Sequence, residues 1–529
     1  MKKPLLYIFS LIFLFNGLQG ERKIYSRYSQ KNDLVQLSSL KKVGETAQRR
    51  DLPETYITPE GNFKFHYTLS GIDAVDSVGY VIEAGRAAEH AYSLLVDSLN
   101  YQPPPVDNID GEQIDIYIIE WSGRYYAQTY LESKNTATSR EYDYISYMEI
   151  DNDYNDPAYS TRNLEALRVT IAHEFFHMVQ LGYNYFQSGD LPGMEYGDTY
   201  FLEWSSVWFE EIAYPEINDY WQYVDDFLTY PSNSMWDYNY WYSLGIFLHY
   251  ISNNYDAFMI TDIWDEIKDG YHAIDALERI LQKETDHSLA WHWNQFFQAI
   301  YYTGNRYNPS YSICEDAQYF PELRIDYTNH PIFDKEQNLT ASVSPGATRS
   351  FQLTFGQSQY IGVDKNSSYQ DSLTSGYTIH NQLFNDISSG FNLYQDTFIG
   401  EISSQDTLIV YMTNSTLQKS MDFNFTVSER EKPVIATKIL NLYPNPLDTQ
   451  NSDRISVEVI ADVRNGDFKL ILYDLLGRKV AEEKYTLDRE LETSQIYDLY
   501  IRPEISSGIY ILQCKTESGS TSKKVTIMH

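Results

Sequence analysis

Helical periodicity runs through this chain as far as about Asn305 and is absent beyond it. Apolar residues three or four apart mark helices, whereas short branched and aromatic runs between turn residues mark strands. Upstream, NFKFHYTL alternates like a strand, and Val78 to Leu99 places Val81, Ile82, Ala84, Ala88, Ala91, Leu94 and Leu95 at helical spacing before Pro103 to Pro105. IDIYII (Ile114–Ile119) and YISYMEI (Tyr144–Ile150) read as strands. Asn163 to Leu181 reads as a helix closed by Gly182, and further helices follow to about Tyr302. Downstream, SFQLTF, QYIGV, TLIVYM and FNFTV are separated by Gly, Ser, Asn and Asp, a β-sandwich pattern. The 529 residues suffice for three or four domains. The expectation is a multidomain chain, with an α+β domain over 56–305, an all-β sandwich over 306–435, and a second all-β sandwich over 436–529 that follows a linker at EKPVIATK.

Two short segments precede these domains. MKKPLLYIFSLIFLFNGLQG has two lysines, an apolar run from Pro4 to Phe15 and a neutral end, the layout of a signal peptide over 1–20. Residues 21–55 carry Lys41, Lys42, Arg49 and Arg50 without clear periodicity and read as an N-terminal arm or propeptide. No later segment is apolar for long enough to suggest a membrane span in the mature protein.

Hydrophobic content of 43% and aromatic content of 16%, with 48 Tyr, support real cores. A net charge of −34 disfavours nucleic acid and anionic lipid as partners. The two cysteines, Cys314 and Cys514, form neither a disulfide framework nor a CxxC metal site. The chain has no GxSxG string, and neither cysteine has a histidine nearby in sequence, so a nucleophilic serine or cysteine mechanism finds no support.

The chemistry concentrates in IAHEFFHMVQ, Ile171 to Gln180. Residues i and i+4 of a helix share a face, so His173 and His177 can aim two imidazoles at one point. A catalytic zinc takes three protein ligands and a water. Glu174, rotated slightly off that face, would neighbour the water and take its proton. Leu164, Leu167, Ile171, Phe175 and Met178 form apolar rows that bury the helix, where two histidines and a glutamate are costly unless paired or metal-bound. A Gly three residues and a His six residues after His177 would supply a third ligand in another zinc pattern, but Gln180 and Tyr183 stand there. His249, His287 and His292 show no partner spacing and read as ordinary core or surface residues. FLEWSSVWFEEIAYPE reads as a second helix ending before Pro215, with Glu203, Glu210 and Glu211 as candidates for a carboxylate ligand.

With these residues the chain resembles the gluzincins, zinc peptidases with HExxH and a later glutamate ligand. The aminopeptidase-like branch often carries a helix reading roughly E-G-x-A-x-[YW]-x-E, matched here by Glu203-Trp-Ser-Ser-Val-Trp208-Phe-Glu210, with Trp204 for Gly and Ser206 for Ala. The resemblance covers about 60–305 and implies a zincin-like metallopeptidase domain. It makes Glu203 the third ligand beside His173 and His177, Glu174 the general base, and Glu210 a group that orients a histidine. Those enzymes also use a tyrosine in a Y-x-x-G string as oxyanion donor. Tyr242-Ser-Leu-Gly245 matches it, with Tyr240 as nearest rival. An inserted loop, QSGDLPGMEYGD, separates His177 from Glu203. The implied function is zinc-dependent hydrolysis of peptide bonds in protein or peptide substrates. The alternative is a non-catalytic surface adhesin or binding protein on the same fold, with residues 310–435 carrying the function.

LYPNPL, LYDLLGRKV, SSGIYIL and a terminal KKVTI occur in the order of a type IX secretion sorting domain. That resemblance implies contact with an export machinery and a secreted or outer-surface location. DNDYND offers Asp151, Asp153 and Asp156 as closely spaced oxygen donors for calcium, beside the reading as a solvated acidic loop. Glycosylation-type strings at Asn338, Asn366, Asn414 and Asn424 read as incidental and fit surface loops of a β domain.

Overall fold

The structure is a computed structural model that describes residues 49–529 except 108, 124, 185–196, 329–335, 366–372, 382–386, 392–396, 417–418, 432–437, 461–466, 487–494 and 517–519. The expected signal peptide, residues 21–48 of the arm, and most of both the inserted loop and the linker lie outside the described residues. The chain divides into two compact units at Arg430/Glu431.

The first unit begins with a five-stranded sheet in the order β1-β2-β3-β5-β4. Its strands are β1 Glu54–Ile57, β2 Phe63–Tyr67, β3 Ile114–Ile119, β4 Ala127–Lys134 and β5 Tyr144–Asp151. β2, β3 and β5 run parallel, while β1 and β4 are antiparallel edges. Helix α1, Val78–Tyr92, crosses between the parallel strands β2 and β3. This region is thus a mixed α/β layer, with strands and a helix interleaved before the all-helical run. Alternate strand residues face the helices: Phe63 and Phe65, Ile116 and Ile118, Met148 and Ile150 are buried in one core with α1. The other face is polar, with Asp115, Glu132 and Glu149 among Tyr117, Tyr130 and Tyr147. The end of the N-terminal arm is tied to it. Arg49 makes paired hydrogen bonds to Glu132 at 2.5 and 2.7 Å and bonds Asp115 at 2.6 Å, and Arg50 reaches Glu149 at 2.9 Å.

Helices α2 Asn163–Tyr183, α3 Thr199–Ala213, α4 Trp221–Thr229, α5 Gly245–Asn254, α6 Phe258–Lys268, α7 Ala273–Thr285 and α8 Leu289–Tyr301 complete the layer. α2 is buried along nearly its whole length, though Leu164 in its first turn is exposed. Gly182 does not cap α2 but lies within it, where a Cβ would meet Pro105 Cδ at 2.6 Å. Gly245 works similarly: a Cβ there would meet Val207 Cγ1 at 2.7 Å, so its absence lets α5 approach α3 closely.

Two four-stranded sheets follow, β10-β9-β12-β7 and β11-β8-β13-β6, in which β8 is Gln359–Lys365, β10 Ile387–Phe391 and β11 Thr397–Ile402. The strands used below are β6 Glu336–Val343, β7 Thr348–Thr354, β9 Leu373–Asn381, β12 Asp406–Asn414 and β13 Met421–Arg430. Leu408, Val410 and Met412 of β12 face the core of these sheets, whereas Ile409 and Tyr411 enter the core of the helical region. Phe297 and Tyr411 rings meet at 6.2 Å, and Tyr301 donates to His380 Nε2 at 2.7 Å. The run TLIVYM is continuous because both faces of this strand are covered. Residues 306–430 therefore belong to the same compact unit as the α/β layer, and no unit boundary falls near 305. Asn338, Asn414 and Asn424 lie in strands β6, β12 and β13 rather than in surface loops, and Asn414 is buried.

The second unit is all β: Lys438–Tyr443, Arg454–Ile460 and Gln495–Tyr500 form one sheet, and Leu447–Asp448, Ser520–Met528, Gly508–Lys515, Asp467–Tyr473 and Lys479–Thr486, in that order, form another. Their core holds Ile455, Val457, Leu470, Leu472, Leu512 and Val525. Cys514 is buried there, and Cys314 is partly buried in the first unit; both are free thiols. Among the described residues no helix is long and apolar enough to cross a membrane.

The α3–α5 contact sets a testable cost. Gly245→Ala is expected to lower stability by about 1–3 kcal/mol through overpacking against Val207, read from denaturant unfolding; an unchanged midpoint would show that the two helices separate freely.

Candidate metal centre

Three side chains converge between α2 and α3. Nε2 of His173 lies 3.3 Å, and Nε2 of His177 3.5 Å, from Oε2 of Glu203. All three residues are at most 3% exposed. Their ligand atoms fall within 4.8 Å of one another. Ligands on a tetrahedral zinc with bonds of about 2.0–2.1 Å stand roughly 3.3–3.4 Å apart.

The outer nitrogens decide which ring atoms face inward. His173 Nδ1 pairs with Glu210 Oε1 at 2.6 Å. His177 Nδ1 pairs with Gln180 Oε1 at 2.8 Å. Gln180 Nε2 donates to the Leu202 carbonyl at 3.1 Å and to Ser206 Oγ at 3.2 Å. A carbonyl can only accept, so the Gln180 amide is oriented with its oxygen toward His177. Both imidazoles thus carry their proton on Nδ1 in the neutral state and turn an Nε2 lone pair toward Glu203. Acceptors facing one another at such distances in a dry core repel unless a cation or proton stands between them. The donor set, two imidazole nitrogens and one carboxylate, suits zinc.

Charge points the same way. Glu174, Glu203 and Glu210 are all buried beside two imidazoles, an excess of negative charge that calls for a cation. Burial by itself depresses the His173 imidazolium, but hydrogen bonds and charge from Glu203 and Glu210 outweigh it and hold its pKa at about 9. Burial works against ionised Glu203 as well, yet His177 and His173 bring its pKa down to about 2.

Glu174 stands next to this group without joining it. Thr129, on β4, donates to Glu174 Oε2 at 2.6 Å. Oε1 of Glu174 is buried and makes no hydrogen bond among the described residues. That oxygen can accept a proton from a water at the converging atoms. The Tyr242 ring stacks on His173, with centroids 6.1 Å apart, and lies 5.1 Å from Tyr223. Tyr240, its rival in sequence, is buried with its hydroxyl accepting from the amide of Asn233, and its ring packs on Phe227.

Of the three glutamates proposed on α3, Glu203 joins the histidines and Glu210 supports His173 from outside. Glu211 joins neither: burial, and then Asp316, Glu210 and Glu216, push its carboxyl up to about 8. Among the described residues, Asp151, Asp153 and Asp156, the candidate calcium donors, do not form a converging set. Asp151 is buried, and its oxygens accept from the amides of Asp153, Tyr154 and Trp121 and from the Tyr159 hydroxyl. Asp153 and Asp156 accept from the amides two residues on. The three form a chain of Asx turns rather than a shared point. A second converging set, His66, Asp110 and Asp115, already has cations from the chain, since Arg49 bonds Asp115 and Lys64 pairs with Asp110.

The coupled centre predicts a pH profile for chelator-treated protein. A raised His173 pKa stabilises the fold below its ordinary 6.5, a contribution lost as pH rises through about 9. A lowered Glu203 pKa stabilises above its ordinary 4.5, a contribution lost as pH falls toward 2. Thermal unfolding of the metal-free protein should therefore weaken from pH 6.5 to 9 and again below 4.5, and Glu210→Gln should flatten the alkaline limb. A profile flat from pH 6.5 to 9 would contradict the coupling.

Residues 80–306 match a family described as "Family of unknown function (DUF6055)". No curated protein matches this chain. Among solved structures, apo β-glucuronidase from Ruminococcus gnavus is similar over 34% of this chain and 35% of its own, at 11% identity and a TM-score of 0.13. Dimeric latent PorU from Porphyromonas gingivalis is similar over 32% of this chain and 20% of its own, at 15% identity and a TM-score of 0.16. The chain spans about a third of the length of that glucuronidase, and likenesses at these TM-scores carry no argument. Residues 441–528 match the family described as "Secretion system C-terminal sorting domain". The chain thus carries a type IX sorting domain at its C-terminus and is secreted or attached to the cell surface by that route.

Proposed function

We propose that the first unit is a zinc-dependent peptidase of gluzincin type acting outside the cell. The observation that carries this reading is the convergence of His173, His177 and Glu203, with an unengaged buried oxygen of Glu174 beside them. His173, His177 and Glu203 would hold the zinc ion, which when bound supplies a Lewis-acid centre for a carbonyl and lowers the pKa of water. Glu174 then accepts a proton from the attacking water and passes it to the leaving amine, while Thr129 keeps its other oxygen occupied. Glu210 and Gln180 hold the two imidazoles in the tautomer that offers Nε2. Tyr242, whose ring lies parallel to that of His173, would donate its hydroxyl to the oxygen on which charge develops. The dryness of the centre strengthens each of these interactions.

A binding protein on the same scaffold would have no use for a buried carboxylate with one oxygen unengaged, which costs stability. Zinc content and hydrolysis of a quenched-fluorescence peptide library by the purified protein separate the two. Wild type is expected to hold one zinc ion per chain and to cleave peptides. Glu174→Gln should keep the zinc and lose roughly 10²–10⁴-fold in kcat. Glu203→Gln should lose the zinc. Absence of zinc from wild type after reconstitution, or equal rates in wild type and Glu174→Gln, would sink the reading. Gln180→Leu tests the outer contacts, with an expected fall in zinc affinity of about 10–100-fold.

A further inference from the structure

α8 carries a stripe unlike the rest of this acidic molecule. Trp291, Gln295 and Gln298 recur at intervals of four and three and so share one face of α8, and Tyr302 follows directly after its last residue. That face lines a cavity of about 270 Å³, closed on the opposite side by Thr378 of β9 and at its mouth by Tyr255 and Tyr311. The size is close to the roughly 300 Å³ at which small-molecule sites begin. Among the described residues no charged side chain lines it, on a chain in which 22% of residues are charged and the net charge is −34.

Its walls combine two kinds of group. Tyr255 and Tyr311 are about two-fifths exposed and offer ring surface at the mouth. Tyr311 meets Tyr302 at 5.5 Å, and Trp291 is clamped by His287 stacked at 3.9 Å, so these rings are held rather than free to turn. Between the rings stand the amides of Asn254, Gln295 and Gln298 and the hydroxyls of Ser310 and Ser312. Gln298 is itself braced by donation to the Tyr377 carbonyl at 3.3 Å. Deeper in, Tyr302 and Thr378 are 2% and 1% exposed, and their hydroxyls interact with each other across the cavity wall.

We propose that this cavity is a binding site for a neutral saccharide. The absence of charge removes the compensation that a phosphate, a carboxylate or a cation would need on leaving water. Amides and hydroxyls offer donors and acceptors side by side, matching adjacent sugar hydroxyls, which do the same. Rigid rings accept the apolar C–H face of a pyranose at little entropic cost. A purely apolar ligand would strip water from the amides and hydroxyls of the lining without replacing it, and the cavity is a pocket rather than the extended groove a peptide strand requires. The site is built from α5, α8, the 310–312 loop and β9, away from the His173–His177–Glu203 group, and the proposal does not depend on the peptidase reading.

The test is ligand-observed NMR and calorimetry of the full chain. The probes are methyl glycosides of glucose, galactose, mannose, N-acetylglucosamine and N-acetylgalactosamine, and oligomers of each up to tetrasaccharides. Methyl glucuronide and an uncharged tetrapeptide serve as comparators. At least one neutral saccharide is expected to bind saturably, with affinity falling about tenfold or more in Gln295→Ala and in the surface variant Tyr311→Ala. Thr378→Val should weaken it as well, and Glu174→Gln should bind as wild type does. Folding of each variant is checked by thermal unfolding. No saturable binding across the neutral panel, unchanged affinity in both Tyr311→Ala and Gln295→Ala, or tighter binding of the glucuronide or the peptide would overturn the proposal. Since binding is read without catalysis, its failure and a failure of the zinc reading are separate results.

Discussion

Burial of five ionisable side chains between α2 and α3 sets the terms for the rest of the first unit. Moving an ion out of water costs several kcal/mol even after relaxation, and His173, Glu174, His177, Glu203 and Glu210 are nearly or wholly inaccessible. Each is accommodated by a specific partner. Glu210 and Gln180 take the outer imidazole nitrogens, Glu203 faces the inner ones, and Thr129 reaches across from the sheet to Glu174. The arrangement survives only while water is kept out, which is the work of Phe175, Phe176, Trp204 and Trp208, all fully buried. It also needs close packing, which Gly245 of α5 permits against Val207 of α3 and Gly182 of α2 permits against Pro105 of the segment after α1.

The same need for dry, close packing explains why the eight-stranded β region is no detachable module. β12 divides its side chains between two cores, Leu408, Val410 and Met412 on one face and Ile409 and Tyr411 on the other. A strand used on both faces joins the layers it separates, so α8 is held by the sheet as well as by its neighbouring helices. That junction also creates the uncharged cavity, with a tryptophan–glutamine stripe on α8, a tyrosine at its end and a buried threonine opposite.

Legibility followed the range of the interactions. The α2 and α3 helices were readable because their apolar residues repeat with the period of a helix that must bury one side. HExxH and the glutamate of α3 were readable because residue types at fixed helical spacing limit what they can aim at. β4 was not recognised: AQTYLESK mixes polar and apolar residues, being an edge strand with one covered face. Thr129 therefore went unseen, since its partner lies 45 residues away. In sequence Gln180 marks only a position where another zinc pattern wants glycine, yet in the fold it orients His177. Gly182 looked like a cap because cap and close approach both favour glycine. The DNDYND loop looked like a cation site because Asx turns and calcium loops draw on the same residues; only the backbone showed amides already satisfying the carboxylates.

What the sequence determined alone was local or one-dimensional. It set the change of period near Asn305, the two helices bearing histidines and glutamates, and the C-terminal strings of the sorting domain. Such features need no knowledge of what lies opposite in space. The tertiary structure decided everything that depends on a partner from elsewhere in the chain. It selected Glu203 over Glu211 at the converging point, chose the Nδ1 contacts that turn Nε2 inward, and merged the helical and sandwich layers into one unit. Hydrogen bonds and steric contacts act over a few ångströms, so which distant residues come within that reach is settled only when the helices and sheets pack.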